Sequence, residues 1–121
     1  MSQKSVITLN TGLEDPETVT VAFLMAVGAV ETGRDCLMFL SKEAVRLALR
    51  GHAHGVACDG CPTLESLLER YEKGGGLYMP CGVCFTSKQL STNDLLPNAE
   101  IGGTIPLWNW IGDDPCVTFS Y

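Results

Sequence analysis

Two Cys-x-x-Cys pairs hold the residues best placed to do chemistry in this chain, and the second in order, Cys81-Gly-Val-Cys84, is the more informative. It lies in residues 77–90, where Leu-Tyr-Met-Pro follows Gly74-Gly75-Gly76 as a short apolar strand and Phe-Thr-Ser-Lys continues as a helical turn. Cys81 is thus expected at the carboxyl end of a strand and beside a helix N-terminus, where unpaired N–H groups and the helix dipole favour a thiolate. Sulfur transfer needs such a group, one that attacks, holds and releases a second sulfur. The competing reading is a small buried hydrophobe at a strand end, because free cysteine is among the most buried residue types. For Cys84 two readings stand: it resolves a mixed disulfide or persulfide on Cys81, or it packs on the inner face of the first helical turn.

The other pair is Cys58-Asp-Gly-Cys61, and all four cysteines together read Cys-x2-Cys-x19-Cys-x2-Cys. That spacing suits a zinc site, so Cys58, Cys61, Cys81 and Cys84 form an alternative metal set for zinc or an iron-sulfur cluster. Against it, the chain carries apolar strands and helices enough to fold without metal, whereas structural zinc normally supports a thin core. A redox pair or a persulfide acceptor are the other roles open to Cys58 and Cys61. His52 and His54 precede them and would add ligands if both faced one side of an extended segment, but solvated loop histidines are the commoner case. Cys36 and Cys116 fall inside expected strands and read as core. Trp108 and Trp110 crowd the last helical segment and suit a pocket wall, a subunit interface or the core. No Ser-His-Asp set, phosphate loop or paired carboxylates are apparent.

The elements that must position these residues alternate. Residues 6–9 and 36–40 read as short buried strands. Between them Asp15 caps a helix with Pro16 at its first position, and residues 18–32 are apolar nearly all round, ending at Gly33. Ser41 opens a short helix running to Gly51, and residues 51–61 form a loop with a possible short strand near Val56. Pro62 restarts a helix capped by Cys61 or Thr63, with Leu64, Leu67, Leu68 and Tyr71 on one face. After the cysteine strand come broken helical pieces to Leu96, a strand over 99–101, a helix over 104–111 and a strand over 116–119. Strands alternating with helices imply an α/β fold with a parallel sheet.

The 121 residues suit a single domain over 1–121, with 45% hydrophobic and only 18% charged residues. So few charges suggest a surface partly covered by other subunits. A formal net charge of −6, with no basic run, argues against nucleic acid and anionic membrane as partners. Met-Ser-Gln-Lys-Ser leads into a strand rather than a signal-peptide core, and no stretch suits a bilayer span, so a cytoplasmic location is expected. In that reducing compartment six cysteines read as core, redox or metal residues rather than a disulfide framework.

The strand-end Cys81 followed by a helix with Lys88, the block Phe-Leu-Ser-Lys-Glu-Ala-Val-Arg-Leu-Ala-Leu-Arg-Gly over 39–51, and the long small-residue helix before it resemble DsrE-like sulfur-relay proteins of the DsrE, DsrF and TusD type. The resemblance covers nearly the whole chain as a pattern of elements and short blocks. It implies a three-layer α/β/α sandwich with a five-stranded parallel sheet of order 4-3-2-1-5, assembled as homotrimers, hexamers or related oligomers. It also implies a sulfurtransferase-like carrier that holds sulfane sulfur as a persulfide on Cys81, between donor and acceptor proteins, with no cofactor. The sequence departs from relay members in having Cys84, the Cys58/Cys61 pair, and Lys88-Gln89 where those members often show Arg-Gly. The alternative from the cysteines themselves is a thiol-redox or metal-binding module that uses both pairs.

Overall fold

A computed structural model describes residues 3–121; Met1 and Ser2, the start of the N-terminal stretch read above, lie outside the described residues. Four parallel strands form one sheet: β1 (Lys4–Leu9), β2 (Asp35–Leu40), β3 (Leu77–Pro80) and β4 (Cys116–Ser120), in the order β3-β2-β1-β4. The helices are α1 (Pro16–Glu31), α2 (Leu64–Lys73), α3 (Gly82–Ser87) and α4 (Thr104–Ile111). Short 3-10 helices at Lys42–Ala48 and Thr92–Asp94 complete the set.

The expected capping chemistry holds for α1. The Asp15 carboxylate accepts from the Thr18 N–H, Pro16 takes the first turn where its missing N–H costs nothing, and Gly33 follows the helix at φ +86. α2 is capped by Thr63, whose hydroxyl accepts from the Ser66 N–H. The segment after Ser41 is a 3-10 helix without a Ser41 side-chain cap, and the possible strand at Val56 is a loop.

In register, Ile7 faces Met38 and Met38 faces Tyr78, so Ile7, Leu9, Cys36, Met38, Leu40 and Tyr78 share one face of the sheet. Against that face pack Phe23, Ala26 and Val27 of α1 and Leu64, Leu67 and Tyr71 of α2, in one cluster. Phe23, Tyr71 and Tyr78 meet at ring-centroid distances of 5.1–6.2 Å. The Tyr71 hydroxyl donates into this layer, 2.6 Å from the Leu77 carbonyl and 3.1 Å from that of Cys36. On the opposite face Lys4 reaches α4, donating to the carbonyls of Trp110 and Ile111 and standing 5.0 Å over the Trp110 ring.

Among the described residues the sheet has four strands, not five. Residues 98–102 do run beside β3, where Tyr78 N–H donates to Asn98, Glu100 N–H to Tyr78, Gly102 N–H to Pro80 and Gly82 N–H to Gly102. The donor missing from that alternating series is residue 80, a proline, which has no N–H. The ladder therefore survives only as isolated bridges, Tyr78 to Ala99 and Cys81 to Gly102, rather than as a strand. No helix among the described residues is long and apolar enough to cross a membrane.

Candidate functional site

All four strands run the same way, so their carboxyl ends meet along one rim of the sheet. There the 3-10 helix at Lys42–Ala48 follows β2 and α3 follows β3, and the two elements pack together. Cys81 sits between β3 and α3 in the capping position of the helix, with extended backbone at φ −65 and ψ 122. Its N–H donates to the Leu40 carbonyl at 2.7 Å, and its carbonyl accepts from Phe85 at 2.9 Å. The backbone of Cys81 is thus tied to β2 on one side and to α3 on the other. Its side chain is half-buried against the core and unbonded.

Glycines let the surrounding chain come close. A Cβ at Gly82 would stand 3.2 Å from the Gly102 carbonyl oxygen, and one at Gly102 would run into the Met79 side chain. The first-turn N–H groups of Val83 and Cys84 have no backbone acceptor among the described residues, since Gly82 uses its own on Gly102. Cys84 is half-buried and unbonded, one turn along α3 from Cys81.

Beside this turn lies a charged cluster. Lys88, at the end of α3, places Nζ 3.4 Å from a Glu43 carboxylate oxygen, and the other Glu43 oxygen accepts from Arg46 Nε at 2.9 Å. The Arg46 hydrogen bond, with help from Lys88, holds the Glu43 carboxyl below its usual range. Burial, joined by the Arg46 charge, pushes the half-buried His52 imidazole below its ordinary pKa, with Glu43 opposing. The loop after β1 closes on the same group, for a Cβ on Gly12 would clash with Glu43. In the sequence Glu43 and Arg46 stand only within the block over 39–51 that carries the family resemblance, with no chemistry assigned to them. The signal available was position alone: they follow the carboxyl end of a buried strand in a parallel sheet.

Cys58 and Cys61 are elsewhere, joined to each other by a disulfide in the loop ahead of α2. The four cysteines of the zinc spacing are therefore not gathered, and no group of three or more His, Cys, Asp or Glu among the described residues is placed to hold a metal ion. In this structure two of the four sulfurs of that spacing are bonded to each other. His54 is exposed and its Nδ1 pairs with Glu65 at 3.0 Å, while His52 is half-buried. Cys36 is buried as expected; Cys116 is only half-buried, because β4 is an edge strand. Trp110 packs under Lys4, and Trp108 is 70% exposed.

This architecture resembles that of the ychN protein from E. coli, with a TM-score of 0.77 and 27% sequence identity, covering 97% of this chain and 99% of that one. A DsrE-like fold fits. A protein of unknown function from Methanobacterium thermoautotrophicum, MTH1491, is similar in fold with a TM-score of 0.68 at 10% identity, covering 99% of this chain and all of that one. The uncharacterized protein MK0008 of Methanopyrus kandleri is 27% identical over 103 residues, 85% of this chain and 82% of that protein. No family model matches the chain.

Proposed function

We propose that the protein is a sulfur carrier in which Cys81 takes up sulfane sulfur as a persulfide and passes it to a thiol on a partner protein. The observation that carries this reading is the position of Cys81, an unbonded, half-buried thiol at the carboxyl end of a parallel strand, beside two first-turn N–H groups without backbone acceptors. Such donors suit a terminal persulfide anion, which needs hydrogen bonds but no metal.

The chemistry balances without a cofactor. The Cys81 thiolate attacks the outer sulfur of a donor persulfide; the new S–S bond forms as the donor's S–S bond breaks, and the donor leaves as a thiolate. In the second step an acceptor thiolate attacks the outer sulfur on Cys81, and Cys81 departs as the thiolate it began as. Cys84 supplies the side branch. If its thiol attacks the inner sulfur instead, a Cys81–Cys84 disulfide forms and hydrogen sulfide leaves. Lys88 and Arg46 place positive charge at this rim, with Glu43 holding both.

Self-association belongs to the same reading. Val21, Leu24 and Met25 on α1 and Val117 and Phe119 on β4 leave an apolar groove of about 540 Å³ open beside the free edge of β4. A second copy offers surfaces of the same kind, an apolar groove and an unpaired strand edge, that a subunit contact would cover.

The test is intact-mass analysis after incubation with a low-molecular-weight persulfide. Wild type is expected to gain one sulfur atom and Cys81→Ser none. Absence of any gain on both wild type and Cys84→Ser, whose Cys81 persulfide has no neighbouring thiol to discharge it, or the same gain on Cys81→Ser as on wild type, sinks the reading.

A further inference from the structure

The Cys58–Cys61 bond stands apart from the Cys81 rim and asks for its own explanation. One explanation is structural stapling. A disulfide stabilises chiefly by shortening the loops open to the unfolded chain, and the effect grows with loop length. With two residues between its cysteines, this one closes about the smallest loop a disulfide can, so its stapling effect is near the minimum.

The surrounding loop is, moreover, already held by other means. The Val56 N–H donates to Ala53, the Leu64 N–H donates to Val56, Ala53 is buried, and His54 pairs with Glu65. Within the pair itself the Cys61 N–H donates to the Cys58 carbonyl at 3.0 Å, closing a turn in which Gly60 takes φ +76, a conformation glycine adopts without strain. That turn sets the two Cα atoms 5.2 Å apart. The backbone bond that closes the turn does not involve the sulfurs, so opening and closing the disulfide asks for no rearrangement of the fold. Both cysteines are half-buried and flanked by the exposed residues Asp59, Gly60 and Pro62, which leaves the bond open to attack from solvent.

We propose that Cys58 and Cys61 are a reversible two-electron thiol–disulfide exchange site whose substrate is a protein dithiol, working independently of Cys81. In the reducing direction a thiolate of the partner dithiol attacks one sulfur of the bond. The Cys58–Cys61 bond breaks, a mixed disulfide forms, and the released cysteine takes a proton. The partner's second thiol then displaces the mixed disulfide. The partner leaves as its own disulfide, and Cys58 and Cys61 are left as two thiols, having gained two electrons and two protons. The reverse sequence passes the same electrons to a partner disulfide.

The experiment uses the full-length native protein with a purified thioredoxin as the dithiol probe, followed by maleimide alkylation and peptide mapping. Before treatment, the peptide carrying Cys58 and Cys61 is expected to be unalkylated. After treatment, both cysteines are expected to alkylate together while the far-ultraviolet dichroism is unchanged. In glutathione buffers of graded potential the two should titrate as one two-electron transition, identical in Cys81→Ser. Cys61→Ser should leave Cys58 able to form a mixed disulfide but unable to close the bond. A bond that yields to the dithiol only after the protein is unfolded would identify a buried staple and overturn the proposal. So would Cys58 and Cys61 remaining fully alkylatable after equilibration with excess oxidised glutathione. Neither outcome depends on whether Cys81 takes up sulfur, so this site and the carrier reading stand or fall separately.

Discussion

Cys81, Cys84, Cys58 and Cys61 share a motif but not an environment. Cys81 is fixed through its backbone to β2 and α3, whereas Cys58 and Cys61 sit on a half-exposed turn and are bonded to each other. The motif was legible in the sequence; the pairing was not, because Cys-x2-Cys-x19-Cys-x2-Cys suits four ligands as well as two separate pairs. His52 shows a second kind of information that spacing does not hold. Burial and Arg46 lower its pKa below 6.5, so between its folded and unfolded pKa values the unfolded chain binds more protons. Its contribution to stability is therefore full above the unfolded value of 6.5 and is lost as pH falls through the folded one. His52→Gln is expected to flatten the loss of stability on acidification just below pH 6.5, read from denaturant midpoints across that range. An unchanged slope would show that His52 is not the group responsible.

At the level of elements, the sheet depends on side chains that reach between layers. Tyr71 of α2 sends its hydroxyl to the Leu77 carbonyl of β3 with the Cys36 carbonyl of β2 close by, and its ring lies against the backbone at Gly76, where no Cβ would fit. Tyr71→Phe keeps the ring and strands the carbonyls, and is expected to cost about 1–3 kcal/mol. Equilibrium unfolding checks this: the midpoint should fall with the denaturant slope unchanged. α1 and α4 were readable because their signals are local. Asp15-Pro16 starts one and Gly112 ends the other, and α4 spans the residues expected for it, Thr104–Ile111. The fifth strand was misread because what breaks it is non-local. Residues 99–101 are strand-like in themselves, but the neighbour that should donate to them is Pro80, more than one element away. The segment Lys42–Ala48 reads as an ordinary helix because its buried Ala44, Val45, Leu47 and Ala48 fall on one face at α-helical spacing, a pattern that does not separate an α-helix from the 3-10 helix it forms.

For the whole molecule, the low charge content finds its counterpart in the groove between α1 and β4, whose apolar residues Val21, Leu24, Met25, Val117 and Phe119 are between 38% and 45% exposed. Leu24→Glu places a carboxylate in that groove and is expected to reduce the assembled mass in light scattering while leaving the helical dichroism intact; an unaltered mass would move the subunit contact elsewhere. Val83 on α3 and Ile105 and Trp108 on α4 are exposed, and the Gly82–Gly102 hydrogen bond ties the start of α3 to the segment just ahead of α4. The fold thus leaves the Cys81 rim and the Cys58–Cys61 turn on separate elements, one following β3 and the other preceding α2. The central claim is that the first of these carries sulfur. Site-resolved mass spectrometry of the persulfide-treated protein tests it most directly. The added sulfur atom should lie on the peptide containing Cys81, and within that peptide on Cys81 when Cys84 is replaced by serine. Sulfur on Cys58 or Cys61 with none on Cys81, or no sulfur at all, would contradict it.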